Sequence, residues 1–301
     1  MKNNNKYATP VKMLALCKFA GVTPRVFTAL MQKFKALDSL LDTNVFDLTK
    51  IDGMKESTAK SISKAKSYLD KADEYYKKLS DREIRVITSF DTDYPALLNE
   101  LNDPPPILYS RGKIPDSNKK SVTILGTTDA TNEGIELTIT LTKRLVKADV
   151  MLISTLSKGI DASVHLGCKS AGGVSYALLD EGFDFIDSSE QMPIAIDIAQ
   201  EGGVLTEYSP EHKRVKASLQ ESNRLLVGLT NAVIITQFYK DSERVLDILS
   251  FCNQIGKMAF LMVDPKYGAL SDEEALAIGV KNGLISMVGF DQVDNIIKAL
   301  V

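Results

Sequence analysis

The chain has 301 residues, of which 44% are hydrophobic and 25% charged, and its formal net charge is −3. These values are ordinary for a globular protein of about two domains, and they exclude collagen-like and disordered chains. Three cysteines without a Cys-x-x-Cys spacing argue against a disulfide framework. No apolar run approaches the ~20 residues needed to span a bilayer. Because the first residues also lack a signal-peptide core, the sequence predicts a cytoplasmic protein with no membrane association.

Charge is distributed unevenly along the chain. Residues 1–90 carry 17 Lys and Arg against 10 Asp and Glu, whereas residues 91–301 carry 19 against 29. The first ninety residues are therefore the better candidates for contact with a polyanion. A solvated face of lysine-rich helices explains the same excess, and charge alone favours that simpler interpretation.

Residues 1–85 are predicted to form a small all-helical domain. Apolar residues recur at spacings of three and four in five segments, namely 11–19, 25–34, 45–48, 56–65 and 68–79. Thr23 before Pro24 is typical of a helix start, with an N-cap followed by proline at the first helical position.

Residues 86–301 are predicted to form a second domain in which strands and helices alternate. Eight short apolar runs are predicted as strands: 84–89, 107–111, 122–126, 151–154, 174–179, 203–207, 232–236 and 258–263. Helical patterns lie between many of them, at 133–147, 161–171, 191–200, 222–228 and 243–254. This alternation, with several continuously apolar strands, predicts an α/β fold with a Rossmann-like, mostly parallel sheet covered by helices on both faces.

A glycine turn in the helical part resembles a helix–hairpin–helix, as also found in SAM-like domains. The glycine is Gly53, between apolar residues at Leu48 and Ile62. Glycine at such a turn lets backbone N–H groups approach a phosphate, and Lys55 and Lys60 can add sequence-independent phosphate contacts. Lys55 occupies the place of the usual second glycine, so the turn can equally serve packing alone. Both interpretations stay open.

Two further glycine turns follow predicted strands of the second domain. Gly126, with Thr127 and Thr128, comes directly before a predicted helix, and Lys158-Gly159 comes before another. Open parallel sheets bind anions outside the carboxyl ends of their strands. These five residues are therefore candidate phosphate contacts, although one glycine without a G-x-G-x-x-G pattern does not by itself identify such a site.

The helix after Gly159 carries two residues able to do chemistry. Asp161 is placed to cap this helix, and His165 lies one turn further on the same face. The two residues can be interpreted as an acid–base pair, but spacing fixes no Ser or Cys nucleophile beside them. The structural interpretation, in which Asp161 and His165 fasten the loop, is therefore preferred. With only two histidines in the chain, a zinc site is not expected either.

A basic cluster lies within the acidic second domain. Lys213 and Arg214 precede the predicted helix that carries Asn223 and Arg224. Arginine binds phosphate bidentately in a way that lysine does not match, so Arg224 is predicted to contact phosphate. The alternative is a salt bridge to a loop carboxylate such as Glu207.

Taken in order, these motifs resemble the DNA processing protein A (DprA/Smf) family over about residues 84–264 and, more loosely, the helical part. The matching segments are Tyr94-Pro95, Asp103-Pro104-Pro105, Gly126-Thr127-Thr128, residues 154–167, residues 172–184, Glu207-Tyr208 and Asn223-Arg224. The resemblance implies a protein that binds single-stranded DNA without sequence preference, passes it to the RecA recombinase and forms a homodimer. It implies no enzymatic turnover, cofactor or metal.

The chain departs from the family pattern at several positions. Thr128 and Ser222 stand where the family has arginines, and Thr236 stands where it has a glutamate. The stretch from Lys240 to Glu243 has no recognisable family pattern, although Lys240 is also predicted as a phosphate contact. The two missing arginines remove two expected phosphate partners. Because the second domain is also acidic, we expect DNA binding that is weaker and more salt-sensitive than is usual for the family, or a changed ligand.

Three functions are compatible with this sequence. The leading hypothesis is a non-catalytic, DprA-like protein that binds single-stranded DNA in DNA processing and recombination. The alternative is a nucleotide-binding sensor or a nucleotide-processing enzyme on the same Rossmann-like fold, although the chain lacks the Pro-Gly-Gly-x-Gly-Thr loop of related phosphoribohydrolases. A third is an interaction module without a ligand.

Overall fold

The computed structural model describes residues 6–186, 189–239, 242–262, 285–289 and 292–300. The chain divides into two compact units. The first unit comprises Met1–Tyr94 and Asn102–Arg111, and the second comprises Pro95–Leu101 and Gly112–Val301. The first unit thus contains two strands in addition to the predicted helices.

The first unit is built from short helices and one pair of antiparallel strands. The helices are α1 (Thr9–Leu14), which continues as a π-helical turn at Ala15–Phe19, α2 (Pro24–Lys33), α3 (Leu37–Leu41), α4 (Val45–Thr49), α5 (Glu56–Ile62) and α6 (Leu69–Asp81). The predicted cap is present, because Thr23 Oγ1 accepts the Val26 N–H at 3.5 Å. Helix α3 was not predicted, since five residues are too few to show helical periodicity. Strands β1 (Arg85–Thr88) and β2 (Ile107–Gly112) pair antiparallel.

The second unit contains a parallel sheet. Its strands are β3 (Ser121–Leu125), β4 (Met151–Ser154), β5 (Ser175–Leu178), β6 (Gly203–Thr206), β7 (Ala232–Ile235), β8 (Met258–Met262) and β9 (Ile285–Val288). They lie in the order β6-β5-β4-β3-β7-β8-β9, and the neighbouring strands run parallel. Along the chain, the sheet grows outward from β3, first on one side through β4, β5 and β6 and then on the other side through β7, β8 and β9. The carboxyl ends of β3, β4 and β7 therefore border a topological switch point, where open parallel sheets bind ligands.

Six α-helices accompany this sheet in the described residues. They are α7 (Asn132–Lys147), α8 (Ile160–Ser170), α9 (Gln191–Glu201), α10 (Lys216–Gly228), α11 (Glu243–Ile255) and α12 (Val293–Leu300). Helix α10 begins six residues before the predicted start at Ser222. Its polar first turns carry no apolar repeat, and the start is marked instead by the Ser218 side chain, which accepts the Val215 N–H at 2.9 Å.

The core confirms the α/β, Rossmann-like fold. Buried strand residues such as Ile124, Leu152 and Ile234 pack with residues of the surrounding helices, among them Leu141 and Val164. Strands that are apolar on both faces are expected in a parallel sheet covered by helices. Among the described residues, no helix is both long and apolar enough to cross a membrane.

Candidate functional site

Two glycine turns touch at the carboxyl ends of β3 and β4. Gly159 has a φ of +75°, and a Cβ atom there would lie 2.5 Å from the Thr127 carbonyl oxygen and 2.7 Å from that of Thr128. The N–H of Ile160 donates to the same Thr127 oxygen at 3.2 Å. Only glycine fits both the left-handed backbone and this close approach. The structure therefore brings together the five predicted residues Gly126, Thr127, Thr128, Lys158 and Gly159.

The segment after β7 contacts the first of these turns through Gln237, and the loops 126–128, 155–161 and 236–237 at the switch point are together called the crevice. The Gln237 carbonyl oxygen accepts the Thr127 N–H at 2.7 Å, and its side-chain oxygen accepts the Thr131 N–H at 2.9 Å. The glutamine thus joins the end of β7 to the turn after β3 and to the start of α7. Sequence reasoning missed Gln237, although a polar residue just after a continuously apolar strand is a usable signal for this edge.

Asp161 holds several loops together. Its Oδ1 accepts the Gly126 N–H at 3.2 Å, and its Oδ2 accepts the Thr155 hydroxyl at 2.6 Å. Arg244 Nη2 also donates to Oδ2 at 2.6 Å. Since α8 begins at Ile160, Asp161 lies inside the first turn and is not the helix cap that the sequence predicted. The observed contacts are those of a residue that fastens the loops. Arg244 was missed because the preceding segment shows no recognisable pattern.

His165 has both ring nitrogens engaged. The Thr155 carbonyl can only accept, so Nε2 donates to it at 3.0 Å, and Nδ1 then accepts the Ser175 hydroxyl at 3.0 Å. Burial lowers the pKa of His165 to about 4, against smaller opposing effects of the Thr155 carbonyl and the Asp161 charge. The ring is neutral at pH 7. Within the described part of the chain, no hydrogen bond joins His165 to Asp161, so the two do not form an acid–base pair in this structure.

Lys158 lies at the surface of the crevice in a weak ion pair. Its Nζ is 2.8 Å from Glu190 Oε2 and 3.0 Å from Oε1, and both side chains are exposed. Exposed pairs of this kind contribute at most about 1 kcal/mol. A phosphate group can therefore compete for Lys158.

The predicted arginines of the basic cluster are paired with carboxylates of the same unit. Arg224 Nη2 lies 2.7 Å from Glu207 Oε2, with the side chains only 8% and 6% exposed. Arg214 Nη2 lies 2.6 Å from Asp180 Oδ1 and 3.3 Å from Glu181 Oε1. Burial raises the pKa of Glu181, and Arg214 partly opposes that shift. The ion pair considered as the alternative for Arg224 is thus present, and its phosphate contact stays a prediction.

The remaining predicted residues of this cluster differ in accessibility. Lys213 is exposed, and no ion pair involves it among the described residues. Asn223 is 1% exposed, and neither atom of its amide group has a hydrogen-bond partner in the described part of the chain. Lys240 lies outside the described residues. Lys213 is therefore the member of the cluster best placed to meet a large anion.

A stacked pair of rings lies just after β6. The rings of Tyr208 and His212 are 4.3 Å apart and tilted by 13°, and the Tyr208 hydroxyl donates to Glu221 Oε2 at 2.7 Å. Burial, together with the charges of Glu207 and Glu221, raises the pKa of Tyr208. This ring pair was not predicted, because the pairing depends on a turn that residue spacing does not reveal.

In the first unit, the predicted hairpin joins α4 and α5. Gly53 has a φ of +71°, and nothing lies within 4 Å of the place where its Cβ would be. Lys55 is exposed just before α5, and Lys60 pairs with Glu56 at 2.6 Å. The hydrogen bond from Lys60 is the main reason that the pKa of Glu56 is lowered. The open turn is compatible with phosphate binding, and the helix–hairpin–helix assignment stays a prediction.

No group of three or more His, Cys, Asp or Glu side chains is arranged to hold a metal ion in the part of the chain that the structure describes.

Most of this chain is similar to proteins of known sequence and structure. A sequence model described as "DNA recombination-mediator protein A" matches residues 85–266. The Protein Smf of Synechocystis sp. is 28% identical over 228 residues, which cover 74% of this chain and 57% of that protein. The chain thus spans little more than half the length of this relative.

Two solved structures are similar in fold. The DNA processing protein A of Streptococcus pneumoniae aligns with a TM-score of 0.78 and 20% identity, over 96% of this chain and 98% of that one. The DNA processing protein A of Helicobacter pylori, whose structure concerns its own single-stranded DNA binding mode, aligns with a TM-score of 0.60 and 24% identity. That alignment covers 72% of this chain and 95% of the other.

Proposed function

The chain belongs to the DNA recombination-mediator protein A family, and from this premise we propose that it binds single-stranded DNA without sequence preference in DNA processing and recombination. One observation carries the proposal: the family match extends over every loop that borders the crevice, from 126–128 through 155–161 to 236–237. The single-stranded DNA binding of the Helicobacter pylori protein supports the same ligand for this chain.

The proposed binding mode does not involve the bases of the strand. The glycine turn 126–128 and the Lys158-Gly159 turn lie next to a topological switch point, where open parallel sheets bind phosphates. The N–H groups of Gly126 and Thr127 are themselves bonded to Asp161 and Gln237. Lys158 and Lys213 are exposed cations at this edge of the sheet. Contacts of these types go to the sugar-phosphate backbone, so they give affinity that depends on salt and not on sequence.

The proposed role is non-catalytic. His165 is neutral at pH 7 and uses both ring nitrogens in hydrogen bonds inside the protein. Asp161 is 1% exposed, and its two oxygens accept from Gly126, Thr155 and Arg244. Both groups are occupied in holding the loops, which supports a binding function.

Partners are proposed from the family alone. A cytoplasmic homodimer that passes its strand to RecA is the arrangement that the resemblance implies. Sedimentation velocity of the purified chain tests the dimer, and co-sedimentation with purified RecA on single-stranded DNA tests the transfer. A monomer at micromolar concentration would contradict the first, and unchanged RecA loading would contradict the second.

Fluorescence anisotropy with a labelled oligo-dT strand, titrated at several salt concentrations, tests DNA binding directly. We expect saturable binding at low salt and an affinity that falls with salt by a slope of about 0.7 for each phosphate contacted. A duplex of the same length serves as the control and is expected to bind more weakly. Failure to bind the strand at low salt, or an affinity independent of salt, would contradict the proposal.

A thermal-shift screen over free nucleotides tests the alternative, in which the ligand is a nucleotide and not a DNA strand. A ligand that binds only the folded state raises the apparent stability. A rise in Tm with one nucleotide, combined with no binding of oligo-dT, would favour a nucleotide sensor over a strand-binding protein.

A further inference from the structure

A mostly buried guanidinium, that of Arg244, lies next to Asp161 at the switch point. Arg244 Nη2 is 2.6 Å from Asp161 Oδ2, and the arginine side chain is 16% exposed. Its Nε is buried and has no hydrogen-bond partner within the described residues. An unpaired buried donor is costly, so a missing acceptor is expected next to it.

The position of Arg244 in its helix is also unusual. It is the second residue of α11, where the helix dipole disfavours a cation. Its partner, Asp161, lies in the first turn of α8. The Arg244 guanidinium and the first turn of α8 thus both lie against the Asp161 carboxylate. A helix amino terminus carries partial positive charge and favours a further anion beside it.

The oxygens of Asp161 are already well supplied with donors. Oδ1 accepts from Gly126 and Oδ2 from Thr155, in addition to the contact with Arg244. The carboxylate therefore engages one nitrogen of the guanidinium and leaves Nε for another acceptor. A guanidinium matches phosphate oxygens in geometry and charge, and its several N–H donors can bind two different acceptors at once.

We propose that Arg244 is a phosphate-binding residue of the crevice, held in position by Asp161, and that it contacts a phosphate of the bound strand beside the turn 126–128. The inference rests on the proposed function and names a residue of the same site. It assigns to Arg244 the guanidinium contact that Thr128 and Ser222, with their short side chains, do not make.

The competing role for Arg244 is neutralisation of Asp161 alone. Two variants without the carboxylate separate the roles, namely Asp161→Asn and the double variant Asp161→Asn/Arg244→Gln. In both, one amide oxygen remains as an acceptor and no buried carboxylate is left without its cation. Asp161→Asn leaves Arg244 without its anion, so the wild type is the reference for the affinity of that variant. The two proteins differ only in the guanidinium, and thermal unfolding confirms that each is folded.

Oligo-dT binding across a salt series is then compared between these two variants and the wild type. We expect the double variant to bind about tenfold more weakly than Asp161→Asn, as for loss of one charged hydrogen bond, with a salt slope smaller by about 0.7. Arg244→Lys, which keeps the charge but loses the fork, is expected to keep the slope and lose part of the affinity. Equal affinities and equal slopes for Asp161→Asn and the double variant would overturn the inference.

One further result separates free phosphate from a DNA strand as the ligand of Arg244. Another separates failure of the Arg244 assignment from failure of the proposed function. If inorganic phosphate or dTMP raises the Tm of Asp161→Asn but not of the double variant, and oligo-dT does not bind, the assignment to a DNA strand is overturned. If the wild type fails to bind oligo-dT, the proposed function fails. If the wild type binds and the arginine makes no difference, only the assignment of Arg244 fails.

Discussion

Arg224 and Glu207 form an ion pair of 2.7 Å in which both side chains are more than nine-tenths buried. A phosphate can reach this guanidinium only in exchange for the carboxylate, and that exchange would leave a buried charge. Exposed Lys158 and Lys213 face no such barrier. The first contacts with a strand are therefore expected from the lysines.

Arg224→Met is expected to lower the free energy of unfolding by about 3–5 kcal/mol, because it leaves Glu207 buried without its cation. Urea unfolding measures the loss. The double variant Arg224→Met/Glu207→Met serves as the control and is expected to recover most of the stability, since removing both charges of a buried pair is often neutral. If Arg224→Met is as stable as the wild type, the Arg224–Glu207 ion pair does not hold the loops.

Gly159→Ala is expected to destabilise the protein by about 3 kcal/mol or more, because it adds a backbone clash to a left-handed conformation. The new Cβ would lie 2.5 Å from the Thr127 carbonyl oxygen. Gly172→Ala is the matched control, since Gly172 has a φ of +70° but nothing within 4 Å of the added atom. It should cost only about 1–2 kcal/mol in urea unfolding. Equal losses would contradict the close approach of the two turns.

Stability is expected to fall as the pH is lowered from about 6.5 to 4, because His165 has a pKa of about 4 when folded against an ordinary value of 6.5. In this window the unfolded chain binds a proton that the folded protein does not, so the free energy of unfolding decreases by about 3 kcal/mol from this group. His165→Gln keeps a donor for the Thr155 carbonyl and does not titrate. If the variant and the wild type show the same pH dependence in this window, the histidine is not buried in its neutral form.

Lys158→Gln and Lys213→Gln are each expected to weaken oligo-dT binding for all base sequences and to reduce the salt slope by about 0.7. Lys119→Gln is the matched control. Lys119 is an exposed lysine paired with Asp149, and it lies before β3, at the opposite edge of the sheet. An equal effect of all three substitutions would indicate binding by overall charge and not at the crevice.

The double substitution Lys55→Gln/Lys60→Gln tests the helical unit. If the turn at Gly53 binds phosphate, the salt slope for oligo-dT falls by about 0.7–1.4. Lys77→Gln, on α6 and paired with Asp73, is the control for charge in the same unit. An unchanged slope in the double variant would support a hairpin that serves packing alone.

The strands of the second unit were predictable because they are buried on both faces. Met151–Ser154, for example, has the predicted bounds, and the ends of β3, β7 and β8 differ from the prediction by one residue. The family resemblance also arises from these strands and their glycine turns. Helix α10 was predicted only in its carboxyl-terminal half, because its first two turns are solvated and their polar residues carry no periodic signal.

The sequence by itself determined the order of strands and helices, the positions of the glycine turns and the uneven distribution of charge, since these depend on residues close together in the chain. Only the tertiary structure decided which charges pair. Arg224 lies 17 residues from Glu207, and Arg244 lies 83 residues from Asp161. Such partners meet because parallel strands end at one edge of the sheet, and whether a cation there is buried in a pair or open to a phosphate depends on that packing.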